Sequence, residues 1–463
     1  MPKLHKILAY ALGPIGSAAF GIVSLPLMSW YFSAADIGSV ALLQTVAGLG
    51  ILLFGLGLDQ AYIREYHAAA DKAALLKTVL PLPLVLAAFF LMSGNRWPSE
   101  ILFASSSRGL AAAGGLFIGA FLLTRFLSLT LRMQERAWAF SFSQLLPKIL
   151  VCLLITGCIL FSLPNHTAVL FGIYAAAQTA AVALLLWQSR RTLAAAAKAP
   201  WCADTYRSAL KYGLPLAAAN LTYWAFASLD RFLLKQWAGL EQLGVYAMAL
   251  NFSAVALIVQ SIFSTIWTPM VFKWVNDHEH CDKIGGIALL VAQATAALIC
   301  LVGIASPAAA RLLPEAYADV PFILPAALLV PLFYTWTEVG GIGLNVVKKT
   351  GLIAAVNLAA LAANLLLLYQ LVPPLGAKGA AAATAAAFWL FFILKTELSA
   401  RLWQPLPRRT LYAAATACLS VCLCYTLFGN RENYPLFAAV WLAALLWLAY
   451  RNRNSFLRFA RRL

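Results

Sequence analysis

Apolar runs long enough to cross a bilayer follow one another along this chain, separated by short polar breaks. A helix needs about 20 apolar residues to traverse the hydrocarbon core. By that measure about fourteen spans are predicted, over residues 8–32, 37–62, 74–93, 109–131, 138–162, 166–188, 209–234, 243–267, 284–306, 317–346, 351–372, 376–396, 408–428 and 434–450. Several exceed the minimum, so tilt or overhang is expected. The longest connections, 189–208 and 268–283, are too short to fold as domains. The pattern predicts an all-α polytopic membrane protein. The first apolar segment follows Lys3 and Lys6 and carries Gly13, Pro14, Gly21 and Pro26, so it reads as a span that stays in place.

Composition agrees. The 463 residues are 62% hydrophobic and 11% charged, with a mean hydropathy of +0.81. That leaves too little polar surface to coat a water-soluble globule. The net charge of +17 is placed as a membrane protein places it, which argues against nucleic acid as a partner. With the N-terminus in the cytoplasm, about 25 of the 34 Lys and Arg fall on the cytoplasmic side and about 7 on the other; Arg125 and Lys148 fall within spans. Both termini are therefore expected in the cytoplasm. The tail residues Arg451, Arg453, Arg458, Arg461 and Arg462 read as an anchor to anionic headgroups. Most of the eight cysteines lie in apolar helices and read as small hydrophobes, including Cys418, Cys422 and Cys424, which have no His, Asp or Glu in their span. His278, His280 and Cys281, beside Asp277, Glu279 and Asp282, read as a solvated loop rather than a metal site.

The chain also repeats itself weakly. Ala35-Asp36-Ile37-Gly38 before the second span is matched by Glu241-Gln242-Leu243-Gly244 before the eighth, and Tyr10-Ala11-Leu12-Gly13-Pro14 by Tyr212-Gly213-Leu214-Pro215. A six-helix unit returns the chain to its starting side, so two such units are related by a pseudo-two-fold axis along the membrane normal. The expected organisation is a six-helix lobe over 1–195, a second over 196–400, and two appended helices with a basic tail over 401–463. Pro14, Pro26, Pro215 and Pro331 interrupt spans, either as ordinary membrane-helix prolines or as bends lining a cavity.

Ionisable groups at bilayer depth are costly and face protein or water. Lys148 lies about ten residues into its span, and Glu338 about ten before Lys348, both near the midplane. Arg125 lies roughly one-third of the way in, either in a cavity or snorkelling to the cytoplasmic surface. Asp59, Arg64 and Glu65 form either an interfacial mutual pairing or a gating set. Asp230 and Arg231, toward the outer face, either tie helix ends together or serve the cavity. An excess of deep cations suits an anionic substrate such as a sugar diphosphate. A deep carboxylate suits a coupled proton or sodium ion, with no other cofactor implied.

Four stretches carry a family likeness. They are Ser228-Leu229-Asp230-Arg231-Phe232-Leu233-Leu234 with Gly239, Gly244, Val245, Tyr246 and Ala247; Gly55-Leu56-Gly57-Leu58-Asp59-Gln60-Ala61-Tyr62-Ile63-Arg64-Glu65; Gly343-Leu344-Asn345-Val346-Val347-Lys348-Lys349-Thr350; and Val372-Pro373-Pro374-Leu375-Gly376-Ala377-Lys378-Gly379-Ala380-Ala381. In order and spacing the chain resembles the polysaccharide flippases of the multidrug/oligosaccharidyl-lipid/polysaccharide exporter superfamily. The resemblance implies a two-lobed transporter of the bacterial cytoplasmic membrane. It would move a polyprenyl-diphosphate-linked oligosaccharide, of the O-antigen type, to the outer leaflet by ion-coupled alternating access. Membrane lipids and other membrane proteins of polysaccharide assembly are the implied partners. The usual core is twelve helices; the last two are extra, as in relatives that carry a lipid-linked peptidoglycan precursor.

On this reading Arg125, Lys148 and Arg231 are the substrate-contact candidates, and Glu338, Asp230, Asp59 and Arg64 the coupling or gating candidates. A drug or cation antiporter of the same fold is the alternative, and predicts a cavity dominated by carboxylates and aromatics. A membrane enzyme is disfavoured, because the short outer connections offer no acid/base pair and the cytoplasmic loops no phosphate cradle.

Overall fold

A computed structural model describes residues 2–93, 108–277 and 283–460. Residues 278–282, with His278, His280 and Cys281, most of the outer connection 94–108, and Arg461 and Arg462 lie outside it; for Arg453 and Arg458 only the backbone is described.

The described residues form α1 (Pro2–Tyr31), α2 (Ala34–Gly55), α3 (Leu58–Glu65), α4 (Lys72–Val79), α5 (Pro81–Ser93), α6 (Arg108–Met133), α7 (Ala137–Leu160), α8 (Thr167–Lys198), α9 (Ala203–Phe252), α10 (Ala254–Asn276), α11 (Ile284–Ala305), α12 (Pro307–Leu312), α13 (Val320–Gly340), α14 (Ile342–Val346), α15 (Thr350–Leu402), α16 (Arg408–Phe428) and α17 (Tyr434–Ala460). Ten helices among the described residues are long and apolar enough to cross a membrane. This is a multi-pass helical membrane protein.

The helices differ from the predicted spans where backbone chemistry intervenes. The span expected over 37–62 stops at Gly55, because Leu56 (φ 48°) and Gly57 (φ 71°) are both left-handed. Gly57 also lies against the backbone of Gly213, and a Cβ on Gly213 would sit 2.7 Å from the Leu56 carbonyl. Glycine is needed at both positions for backbone to meet backbone. The span expected over 74–93 breaks before Pro81, whose fixed φ suits the first turn of α5. The two longest helices each contain one non-helical glycine: Gly239 in α9 (φ 87°), in the connection expected between spans 209–234 and 243–267, and Gly376 in α15 (φ 54°), the first residue of the span expected over 376–396. At the second of these Gly379 abuts the Leu371 carbonyl, so the chain doubles back.

By proximity the chain divides into two compact units, Met1–Phe232 and Leu233–Leu463, with the boundary inside α9. The expected first span of the second lobe thus falls in the first unit, and residues 401–463 fall in the second. Lipid tails are as apolar as leucine, so each unit is held by close packing and internal hydrogen bonds rather than by expulsion of water. In the first unit α7 lies along α1 and α8 along α6, around buried Phe171, Leu127 and Leu185. In the second, α13 is the core helix, packed by α10, α11, α15 and α16. It continues through Pro331, whose carbonyl accepts the Thr335 hydroxyl at 2.9 Å.

The weak repeat has a structural counterpart. Asp36 caps α2, accepting the Ser33 N–H at 3.1 Å through Oδ2, while its Oδ1 accepts the Thr167 hydroxyl at the start of α8. Gln242, its counterpart in the second repeat, accepts the Ala377 N–H at 3.0 Å, at the start of the second arm of α15. Each bridge ties the turn after the first helix of a repeat to the start of its sixth. The appended pair is fastened through Glu397, whose Oε1 binds Arg401 and Arg408, each at 2.7 Å, and whose Oε2 accepts Tyr412 at 3.0 Å.

Candidate functional site

In the first unit, the backbone ladder of α7 is broken by Pro147, one residue before Lys148. The Ser17 hydroxyl of α1 donates to the Gln144 carbonyl, in the turn preceding Pro147, at 2.9 Å. Lys148 is half-buried. One turn on, the Cys152 thiol donates to the Phe20 carbonyl at 3.5 Å, and the Tyr174 hydroxyl contacts the Met28 sulfur at 3.5 Å. No carboxylate lies within salt-bridge distance of Lys148 among the described residues. A cation at bilayer depth is costly and faces protein or water.

Arg125 is different. Its Nε and Nη2 both donate to Asp59 Oδ2, at 3.2 and 2.9 Å, and Gln60 Nε2 adds a third donor at 2.8 Å. Asp59 is buried. The sequence leaves Asp59, Arg64 and Glu65 as either a mutual pairing or a gating set; the structure gives Asp59 to Arg125, across 66 residues. Arg64 is exposed, 4.4 Å above the Tyr212 ring and 3.6 Å from Glu65. Arg125 therefore does not belong with the cations that lack a carboxylate. Asp230 is buried and its Oδ1 accepts the Arg231 N–H at 2.9 Å; the Arg231 guanidinium, half-buried, forms no salt bridge among the described residues.

In the second unit Glu338 projects from α13 toward α10. Its Oε2 accepts the Ser264 hydroxyl, and its backbone carbonyl accepts Trp267 Nε1 at 3.2 Å. Lys395 of α15 is near enough to act on it electrostatically. The Lys395 ammonium lies 5.3 Å over the Phe391 ring, and its stem fills the space a Cβ on Gly341 would need, 2.7 Å away. Sequence reasoning missed Lys395 and Ser264. Lys395 lies six residues before Arg401, and the depth argument used for Glu338 could have found it. Ser264 carried no signal among apolar neighbours.

At the turn before α9, Thr205 holds the Cys202 thiol below its ordinary pKa through hydrogen bonds from its hydroxyl and its backbone.

A family model described as "Polysaccharide biosynthesis protein" matches residues 4–275, more than half of the chain. Among solved structures, lipid II flippase MurJ in an inward closed conformation superposes with a TM-score of 0.70 at 13% identity, over 98% of this chain and 100% of that one. An inward-facing multidrug resistance MATE family transporter of the MOP superfamily gives 0.61 at 14% identity, over 86% and 96%. A MOP superfamily transporter from Pyrococcus furiosus, described as having a binding pocket of reverse polarity, gives 0.51 at 13%, over 89% and 96%. These likenesses define the fold. No curated protein matches the chain in sequence.

Proposed function

Because the chain belongs to the polysaccharide biosynthesis protein family, we propose that it is a flippase rather than an enzyme, moving a polyprenyl-diphosphate-linked oligosaccharide across the bacterial cytoplasmic membrane. The cargo enters from the cytoplasmic leaflet, and both termini lie in the cytoplasm. The observation that carries the reading is Lys148, a mid-span cation with no carboxylate beside it among the described residues. A diphosphate supplies the missing anion, and its charge-assisted hydrogen bonds are the strong kind. Arg231 is the second contact of this sort. Arg125, already neutralised by Asp59, acts through that pair as a tie between α3 and α6. Glu338, beside Ser264 and Lys395, is the coupling position for a proton or sodium ion. The polyprenyl tail remains in lipid, and other membrane proteins of polysaccharide assembly hand over and receive the cargo.

The alternative, a drug or cation antiporter, is favoured by the Glu338 carboxylate and the Phe263–Trp267 ring stack at 5.4 Å beside it. The two readings part at Lys148, where a cationic cargo has no use for an ammonium. The test is Lys148→Met against Lys148→Arg, with flipping of a fluorescent polyprenyl-diphosphate disaccharide measured in proteoliposomes. Loss of a charge-assisted contact of about 1.5–3 kcal/mol lowers transport by roughly ten- to a hundred-fold, and Arg restores part of it. Full transport by well-folded Lys148→Met overturns the assignment.

A further inference from the structure

Helix α10 shows its surroundings two unlike flanks. Trp267 and Val271 are buried on the side that packs against α13 and α14. To one side of that stripe lie Ser261, Ser264, Thr265 and Thr268, spaced i, i+3, i+4 and i+7 and so on one flank, with Leu257 and Phe272 at its ends. To the other side lie Val259, Ile262 and Ile266, which are 41%, 46% and 59% exposed. Thr265 lies eight residues inside Lys273, about 12 Å at 1.5 Å per residue, so both flanks are at bilayer depth.

The hydroxyls are arranged to accept. Ser261 donates to the Ile258 carbonyl at 2.9 Å and Thr265 to the Ser261 carbonyl at 2.7 Å, while the single proton of Ser264 is shared between the Gln260 carbonyl, at 2.9 Å, and Glu338 Oε2. With their protons committed, their lone pairs point away from the helix as acceptors. Glu338 joins this flank through Ser264 by one oxygen. Its other oxygen, Oε1, has no hydrogen bond among the described residues and is a further acceptor. Back-bonded hydroxyls can also lie against lipid. Chance exposure to lipid would scatter them round the exposed arc, whereas here they are segregated beside a carboxylate, and the opposite flank is purely aliphatic. A carboxylate at this depth needs protein or water around it.

We propose that the hydroxyl flank of α10, with Glu338 behind it, is the surface that receives the hydroxyl-rich sugar headgroup, while the Val259–Ile262–Ile266 flank faces lipid. The inference rests on the flippase reading and adds the specificity surface to it. Sugar hydroxyls donate into a row of acceptors, so the flank selects for the number and placement of donors on the glycan.

Two measurements test it in the full-length protein. Single replacements Ser261→Cys, Thr265→Cys and Thr268→Cys are compared with Val259→Cys, Ile262→Cys and Ile266→Cys in membrane vesicles, using a membrane-impermeant methanethiosulfonate and the parent protein as background. Thiols on the hydroxyl flank react on the order of ten-fold faster, because thiolate forms in water and not in oil. Equal rates on the two flanks overturn the proposal. In proteoliposomes, the combined Ser261→Ala, Thr265→Val and Thr268→Val variant is assayed with a polyprenyl-diphosphate disaccharide and with bare polyprenyl diphosphate. Its rate falls on the order of ten-fold more for the sugar-bearing probe. Equal falls, or none, overturn the specificity role even where the parent protein moves both probes. A parent protein that moves neither overturns the flippase reading itself.

Discussion

In the first unit the buried carboxylate is paired with a cation. Asp59 gathers two nitrogens of Arg125 and one of Gln60 on a single oxygen, while the ammonium of Lys148, on another helix, has no carboxylate within salt-bridge distance among the described residues. In the second unit the deep carboxylate is only partly engaged. Glu338 takes one hydroxyl, keeps an acceptor open, and has Lys395 nearby without a salt bridge between them. A carboxylate paired with a guanidinium ties helices together, and the pair has no net charge to offer a ligand. An unsaturated group costs stability and persists where something else completes it. The comparison separates a carboxylate paired with a cation from ionisable groups that have no salt bridge among the described residues, a distinction that charge and depth alone do not make.

The largest effect should come from the backbone seat in the first unit. Gly57→Val places a side chain on a left-handed residue and against the Gly213 carbonyl, and should cost about 3 kcal/mol, read as a lowered melting temperature in detergent. The same change at Gly286 of the second unit, where a Cβ meets nothing within 4 Å, should cost less than about 0.5 kcal/mol.

Next comes Asp59→Asn, which leaves Arg125 half-compensated and should destabilise by about 2 kcal/mol, less than a fully buried pair because Arg125 is partly exposed. Adding Arg125→Met should recover most of that loss. Glu338→Gln should cost under about 1 kcal/mol yet impair transport. If Glu338→Gln proves the more destabilising of the two, the contrast between the units is wrong.

The smallest effect is chemical. An impermeant maleimide should alkylate Cys202 of the first unit only when offered from the cytoplasmic side. It should leave Cys424 unreacted, although Cys424 is exposed, because Cys424 lies on a membrane helix. The lowered Cys202 pKa raises the thiolate fraction near neutrality, so its rate should level off at a lower pH than that of a free thiol. A profile matching a free thiol would remove the Thr205 interaction.

Much of the fold was legible because hydrophobic length is a strong signal. Most of the spans, and the breaks between spans near Gly239 and Gly376, could be read directly. The left-handed break at Leu56 could not, since a leucine gives no warning of φ 48°. Nor could the end of α10 at Asn276, because the residues from Thr268 onward read as a connection when the helix runs on through them. Of the site, Lys148 and Glu338 were legible from depth. The partner of Asp59 was not, because Arg64 was the cation near in sequence, whereas Arg125 is near only once α3 and α6 have packed.

The Asp36 and Gln242 bridges carry a consequence of their own. Asp36 reaches a hydroxyl on Thr167, but Gln242 reaches the main chain at Ala377. The first fastening can be undone from either end by replacing one residue. The second has a single vulnerable end, since every amino acid but proline supplies an N–H at position 377. The halves of this chain thus keep the same knot with different susceptibility to sequence drift, and the later half is the one better insured.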